Sequence, residues 1–220
     1  MSDKRAVVWD LDGVIVDSGA AHNASWIEMA RDYDLPYDPD KDFKAMFGRH
    51  NTDIIGGLWG ITDAETVNRM ADTKERLFRR EAMQLKALPG VEHIMESLRN
   101  AGWKQAIGSS APMPNIVVLL EGTGLGKYMD AISSGDDVKV GKPDPAVFLI
   151  AFERLGVEPA KGVVVEDAPA GVQAAKSAGA ACLAVTNTQT REALAAAGAD
   201  LVVDSLELVM VETMEQLVRG

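Results

Sequence analysis

The sequence predicts an α/β protein, a doubly wound parallel sheet interrupted near its start by a helical insert. Three observations predict it. The first apolar run, Ala6-Val7-Val8-Trp9, has the β-branched and aromatic bias of a buried strand and ends in acids. From roughly residue 22 to residue 87 the apolar residues recur at the three- and four-residue steps of helices. From residue 91 onward, short apolar runs alternate with amphipathic helical patterns, which implies a parallel sheet with helices on both faces.

Taken in order, the first strand runs on through Asp10-Leu11-Asp12 to Gly13, a residue that tolerates the positive φ of a sharp exit. Residues i and i+2 of an extended segment point the same way, so Asp10 and Asp12 are expected to reach one spot beyond the strand's carboxyl end. In open α/β sheets that is where ligands bind. The competing reading is a strand that ends in solvated acids. In the insert, Trp26, Met29 and Ala30 mark one helix, Ile54, Ile55 and Leu58 a second, and Val67, Met70, Leu77 and Phe78 a third. A loop rich in proline and aspartate, from Tyr33 to Asp40, breaks it.

Leu88-Pro89-Gly90 punctuates the chain, and a helix from Val91 to Ala101 stops at Gly102. Gln105 to Gly108 reads as a strand running into Ser109-Ser110, Asn115 to Glu121 as a helix, and Asp130 to Ser134 as a strand. A helix from Ala146 to Leu155 stops at Gly156, and Gly162 to Val165 is the strongest strand after the first, again ending in two acids, Glu166 and Asp167. Helix Val172–Ala178, strand Ala181–Val185, helix Glu192–Ala197, strand Leu201–Val203 and a closing helix complete the alternation. Gly122-Thr123-Gly124-Leu125-Gly126 resembles a dinucleotide loop but follows a helix, so it reads as a helix end.

The 220 residues exceed the usual single-domain mode of about 100–150 residues, which fits one domain with a substantial insertion or two small domains. A formal net charge of −11 argues against a broad nucleic-acid or anionic-membrane surface, since both rely on lysine and arginine. The single cysteine, Cys182, excludes an intrachain disulfide and sits in an apolar run that marks it as an inert buried thiol. The first strand begins within a few residues of Met1 and no apolar run has the length of a membrane span, so a cytoplasmic location is expected.

Four strand ends offer a consistent chemical set: Asp10 and Asp12; Ser109 with Ser110; Lys142, in Gly141-Lys142-Pro143; and Glu166 with Asp167. Phosphoryl transfer through a carboxylate requires a nucleophile, an acid/base for the other oxygen, and cations to offset the charge of the transferring group. Clustered acids repel one another and a phosphate unless a divalent ion sits among them, and all-oxygen ligation suits magnesium.

These motifs resemble those of the haloacid dehalogenase superfamily, in the branch of β-phosphoglucomutase and sugar-phosphate phosphatases. They read Asp10-Leu11-Asp12-Gly13-Val14-Ile15-Val16-Asp17-Ser18, Ser109, Gly141-Lys142-Pro143, and Val165-Glu166-Asp167-Ala168-Pro169-Ala170-Gly171. The resemblance implies that Asp10 is the nucleophile, Asp12 the general acid/base, and Ser109 a hydrogen-bond partner of the phosphoryl oxygens, with Ser110 beside it. It implies that Lys142 pairs with the nucleophile and the phosphate, behind a cis bond to Pro143. Magnesium is expected on the Asp10 carboxylate, the Asp12 carbonyl and Asp167, with Glu166 a further ligand or a partner behind the ligands. Related dehalogenases and phosphonatases lack an acid at the Asp12 offset, so the aspartate points to phosphate esters. The expected domains are an α/β core of residues 1–16 and 88–220 and an α-helical cap of residues 17–87.

In that branch a cap lysine and arginine grip a second phosphate of the substrate. Phe47 and Asn51 stand at those places here, leaving Arg49 and His50 as partial substitutes. Arg49 is read either as a substrate contact or as a solvated arginine. His22 is either a substrate-side histidine or a helix-surface one, and Lys74 either faces the substrate or is a solvated helix lysine, the solvated reading being favoured. Phe47 and Trp59 are pocket candidates, with a core position the commoner one for a tryptophan amid apolar helix. The expected function is a magnesium-dependent phosphatase of a small phosphorylated metabolite, a sugar phosphate, with a β-phosphoglucomutase-like phosphotransferase as runner-up and a monomer rather than an obligate oligomer. A signalling receiver fits poorly, because its phosphorylated aspartate lies on a middle strand and its length is that of one minimal domain. A catalytically silent binding protein would normally have lost Asp10, Asp12 or Asp167.

Overall fold

The computed structural model describes residues 4–43 and 51–219. The chain forms two compact units, one of Met1–Asp17 with Lys86–Gly220 and one of Ser18–Leu85. In chain order the elements of the first half are β1 (Ala6–Trp9), α1 (Gly19–Asp32), α2 (Asn51–Trp59), α3 (Ala64–Ala82), α4 (Val91–Asn100), β2 (Lys104–Gly108) and α5 (Met113–Thr123). They continue with β3 (Ala131–Ser133), α6 (Ala146–Leu155), β4 (Gly162–Glu166), α7 (Pro169–Ser177), β5 (Ala181–Val185), α8 (Arg191–Ala196), β6 (Leu201–Val203) and α9 (Val211–Arg219).

The larger unit holds a parallel six-stranded sheet in the order β3-β2-β1-β4-β5-β6. The chain builds outward from β1 to β2 and β3, then returns to lay β4, β5 and β6 on the other side. That reversal opens a crevice at the carboxyl ends of β1 and β4. On one face Ala6, Val8, Ala106, Val164, Cys182 and Ala184 share a core with Phe148 and Phe152 of α6, Val172 of α7 and Leu194 of α8. The alternate residues serve the other face, where the Trp9 indole N–H donates to Gln105 Oε1 at 3.0 Å and Gln105 Nε2 donates to the Met95 carbonyl of α4 at 2.7 Å. Burial on both faces explains why β1 and β4 read as unbroken apolar runs instead of alternating ones.

Two of the element ends that differ from the sequence expectation lie next to the crevice. The ladder of β1 stops at Trp9, and the chain then folds into a turn in which Gly13, at φ 82°, donates its N–H to the Val16 carbonyl at 2.8 Å. Asp10 and Asp12 therefore both lie past the strand. Helix α7 begins at Pro169 instead of Val172, because a proline in the first turn gives up no helical hydrogen bond. The glycine run after α5 is the helix end expected of it, with Gly124 left-handed at φ 71°. Burial pushes the Cys182 thiol up, in keeping with an inert residue.

The smaller unit is helical. Trp26 and Met29 of α1, Ile54 and Ile55 of α2, and Val67, Met70 and Leu77 of α3 form its core, the spacing that the sequence shows. Asp63 caps α3 by accepting the Thr66 N–H at 2.9 Å. After α1 the chain turns at Asp34, with φ 52°, into the proline-containing loop, which Trp59 fastens by donating its indole N–H to the Pro36 carbonyl at 2.7 Å. Trp59 lies 6.2 Å from the Trp26 ring and packs on this core. Among the described residues no helix is long and apolar enough to cross a membrane.

Candidate active site

The register of β1 on β4 sets Trp9 beside Val165, so the next residues of each strand, Asp10 and Glu166, emerge side by side at the crevice. Asp10 stays tied to the sheet through its N–H, which donates to the Val165 carbonyl at 2.9 Å. Lys142 arrives on the long connection between β3 and α6, next to a cis peptide to Pro143. Its ammonium donates to Asp10 Oδ1 at 2.5 Å and to Glu166 Oε1 at 2.6 Å, and stands 4.6 Å from the Phe148 ring centre. The other Glu166 oxygen accepts the N–H groups of Asp167 at 2.9 Å and Ala168 at 3.0 Å. Both oxygens of Glu166 are thus engaged. A Cβ on Gly171 of α7 would come 1.8 Å from Glu166 Oε1, so this helix position has no room for a side chain.

Asp10, Glu166 and Asp167 are buried and offer carboxylate oxygens within 4.8 Å of one another. Burial raises the Asp10 pKa well above its ordinary value, Lys142 opposes this, and the charges of Glu166 and Asp167 add to it. Burial and the Glu166 charge likewise push Asp167 up to about 7, against the hydrogen bond from Thr188 and the pull of Lys142. Burial alone would lower the Lys142 pKa, but the two carboxylates outweigh it and hold the ammonium above its usual value. Three acids share one ammonium, which leaves negative charge over. A buried, all-oxygen, net-negative donor set fits a hard divalent cation such as magnesium.

Ser109 follows β2 and is buried; its N–H donates to the Ser133 carbonyl at 3.1 Å and its Oγ accepts the Ala111 N–H at 3.1 Å. The hydroxyl proton remains to be donated. Ser110 is exposed. Asp12 is half-buried in the turn after β1, and its charge adds to the rise at Asp167. Its carboxylate lies outside the group of three acids.

Two residues near this cluster carried no sequence signal. The Thr188 hydroxyl hydrogen-bonds Asp167 Oδ2, and Asn187 Nδ2 donates to the Gly13 carbonyl at 2.7 Å. They belong to the loop after β5, the strand beside β4, and only that position in the sheet order could have pointed to them.

In the helical unit, Lys74 is 2% exposed, which overturns its reading as a solvated lysine. Its ammonium lies 2.8 Å from His22 Nδ1 and donates to Glu75 Oε1 at 2.9 Å, an oxygen that also accepts from Asn51 Nδ2 at 2.6 Å. An ammonium only donates, so in this contact His22 Nδ1 is the acceptor. The imidazole is half-buried and stacks on Phe78 at 4.0 Å and 12°. His22 and Lys74 therefore form one network. Arg49, His50 and Phe47 lie outside the described residues.

A doubly wound sheet with acids and a lysine meeting at its switch point, and a helical unit inserted directly after the first strand, defines an α/β enzyme. The chain belongs to the haloacid dehalogenase-like hydrolases, whose family model matches residues 4–179. It is 36% identical over 179 residues to the phosphorylated carbohydrates phosphatase of Thermotoga maritima, covering 80% of this chain and 82% of that protein. It is 31% identical over 221 residues to the β-phosphoglucomutase of Bacillus subtilis, covering 96% and 94%. Among solved structures, the HAD hydrolase, family IA, variant 3 from Entamoeba histolytica superposes with a TM-score of 0.88 at 28% identity, covering 98% of this chain and all of that one.

Proposed function

We propose that the protein is a magnesium-dependent phosphatase of a small phosphorylated carbohydrate, working through a phosphoryl group carried on Asp10. The observation that carries this reading is the Lys142 ammonium held between Asp10 and Glu166 beside Asp167. In the first half-reaction an Asp10 carboxylate oxygen bonds to phosphorus, the ester P–O bond breaks, and the sugar oxygen takes a proton from Asp12. In the second, Asp12 takes a proton from water, the water oxygen bonds to phosphorus, and the Asp10–phosphorus bond breaks to release phosphate. Lys142 fixes one Asp10 oxygen and offsets charge on the transferring group, and Ser109 donates its hydroxyl to a phosphoryl oxygen. Asp10, the Asp12 carbonyl and Asp167 would hold magnesium, with Glu166 orienting Lys142 from behind. When bound, the ion supplies positive charge against the phosphoryl oxygens.

The helical unit takes the part of a substrate-selecting cap, with His22 and Lys74, and Arg49 and His50, as its candidate polar contacts. We read the protein as cytoplasmic and monomeric. Similarity to a β-phosphoglucomutase along nearly the whole chain supports the second reading, transfer to a sugar-phosphate hydroxyl instead of water. The test is magnesium-dependent phosphate release from a panel of sugar phosphates, run beside a coupled assay for conversion of β-glucose 1-phosphate to glucose 6-phosphate, with Asp10→Asn as control. Release without isomerisation, abolished in the variant, is expected. Isomerisation outpacing release establishes the mutase instead, and release that survives Asp10→Asn overturns both.

A further inference from the structure

Thr188 and Asn187 take no part in the phosphoryl-transfer scheme, yet they join the two loops that carry its acids. We propose that they are positioning residues that lock the Asp167 carboxylate against the turn after Asp10 and thereby set the affinity of the site for its divalent cation. The inference rests on the magnesium reading above.

A terminal carboxylate rotates easily about its last torsion, whose minima are broad. Here two neighbours hold Asp167. The Thr188 hydroxyl hydrogen-bonds Asp167 Oδ2, and its oxygen also lies 3.2 Å from the Asp167 carbonyl oxygen. Against the same oxygen stands the bare Cα of Gly13, where a Cβ would fall 2.0 Å from Asp167 Oδ2 and 2.9 Å from Thr188 Cγ2. Asn187 then fixes that wall, since its side-chain amide donates to the Gly13 carbonyl at 2.7 Å. One short loop thus clamps an acid of β4 and the turn of β1 together. It works from the surface, because both residues are exposed along the chain while their hydrogen-bonding atoms face inward. Partners that orient metal-binding carboxylates typically change metal affinity or activity by about 10–100-fold when removed.

The test is calorimetric titration of Mg2+ into the metal-free protein for the wild type, Thr188→Val, Thr188→Ser and Asn187→Ala, beside the Mg2+ dependence of phosphate release. Thr188→Val is expected to weaken Mg2+ binding by about 10–100-fold, to raise the Mg2+ concentration needed for half-maximal rate by a similar factor, and to recover most of kcat at saturating Mg2+. Thr188→Ser, which keeps the hydroxyl, is expected to bind as the wild type does, and Asn187→Ala to weaken binding with an unchanged substrate KM at saturating Mg2+. Should Thr188→Val not fold, the contrast between Asn187→Ala and Thr188→Ser decides. Wild-type affinity in Thr188→Val or, failing that variant, in Asn187→Ala overturns the clamp while leaving the phosphatase standing. A wild type that binds no Mg2+ overturns both.

Discussion

The Lys142 ammonium stands 2.5 Å from Asp10 Oδ1, and this pair decides the charge balance of the crevice. Lys142 is a cation held between Asp10 and Glu166 beside Asp167, so it offsets a repulsion that the sheet register imposes by bringing the ends of β1 and β4 together.

Replacing Lys142 by Met keeps the length of the stem but leaves buried carboxylates facing one another. Removing one partner of a buried pair typically costs about 3–5 kcal/mol. Urea unfolding at pH 8 in chelator is expected to show a loss of that order, with Mg2+ restoring more stability to Lys142→Met than it adds to the wild type. Equal stability of the two proteins in chelator would mean that the ammonium does not hold the acids in place.

Gly171→Ala tests the space behind the site. An alanine in a helix is ordinarily favoured over glycine by about 1 kcal/mol. Here its Cβ would meet Glu166 Oε1 at 1.8 Å, so the carboxylate must leave Lys142 or the helix must shift. A loss of about 1–3 kcal/mol in urea unfolding, with a fall in kcat, is expected from such overpacking. A more stable, fully active variant would contradict the placement of Glu166.

Asp167 is expected to make the proposed Mg2+ binding depend on pH. Its carboxyl is pushed up to about 7 by burial and by Glu166, so in the metal-free protein it holds a proton below that pH and must shed it to bind a cation. The apparent Mg2+ affinity is therefore expected to fall by at least about tenfold per pH unit below 7, since the Asp10 carboxyl is raised as well. Titrations at several pH values check the slope, and a flat profile from pH 5 to 8 would exclude a proton on Asp167.

The connection that carries Lys142 is anchored at its start by Asp137. The Arg154 guanidinium, 2.6 Å away, together with the Ser134 N–H at 2.9 Å, holds the Asp137 carboxyl well below its ordinary range. A depressed pKa stabilises above the unfolded value and is lost as pH falls below it. Asp137→Asn is expected to cost about 0.5–1 kcal/mol at pH 7, since the pair is partly exposed. The gap from the wild type should begin to narrow below about pH 4 and go on narrowing as the pH falls toward the depressed folded value. A gap that does not narrow between about pH 5 and about pH 2.5 would show that shape, not charge, anchors the loop.

The sheet was legible because its strands are buried on both faces and say so residue by residue, as Val163, Val164 and Val165 do. The acids and Lys142 were legible because their residue types are costly to bury without a purpose; the acids fall just past strand ends that the order of the sheet unites, and Lys142 lies on the connection after β3. Thr188 and Asn187 were not, because a polar loop after a strand is the commonest pattern a sequence shows, and their partners, Asp167 and Gly13, lie past the ends of other strands. Lys74 misled for a related reason: charge on a helix usually means solvent, and only the packing of His22, Trp26 and Phe78 around its ammonium reveals burial. Asp12 was placed by strand alternation, but the strand ends at Trp9, so the turn at Gly13 governs its position instead.

The central claim is that Asp10 carries the phosphoryl group. Its most direct test is to quench the enzyme during turnover of a sugar phosphate that it hydrolyses, reduce with borohydride, and locate the product by peptide mass spectrometry. An acyl phosphate on Asp10 is reduced to homoserine, so homoserine at position 10, absent without substrate, is the expected result. Unmodified Asp10 in an enzyme releasing phosphate with inversion at phosphorus would contradict the account, since a single displacement by water leaves no role for a nucleophilic carboxylate.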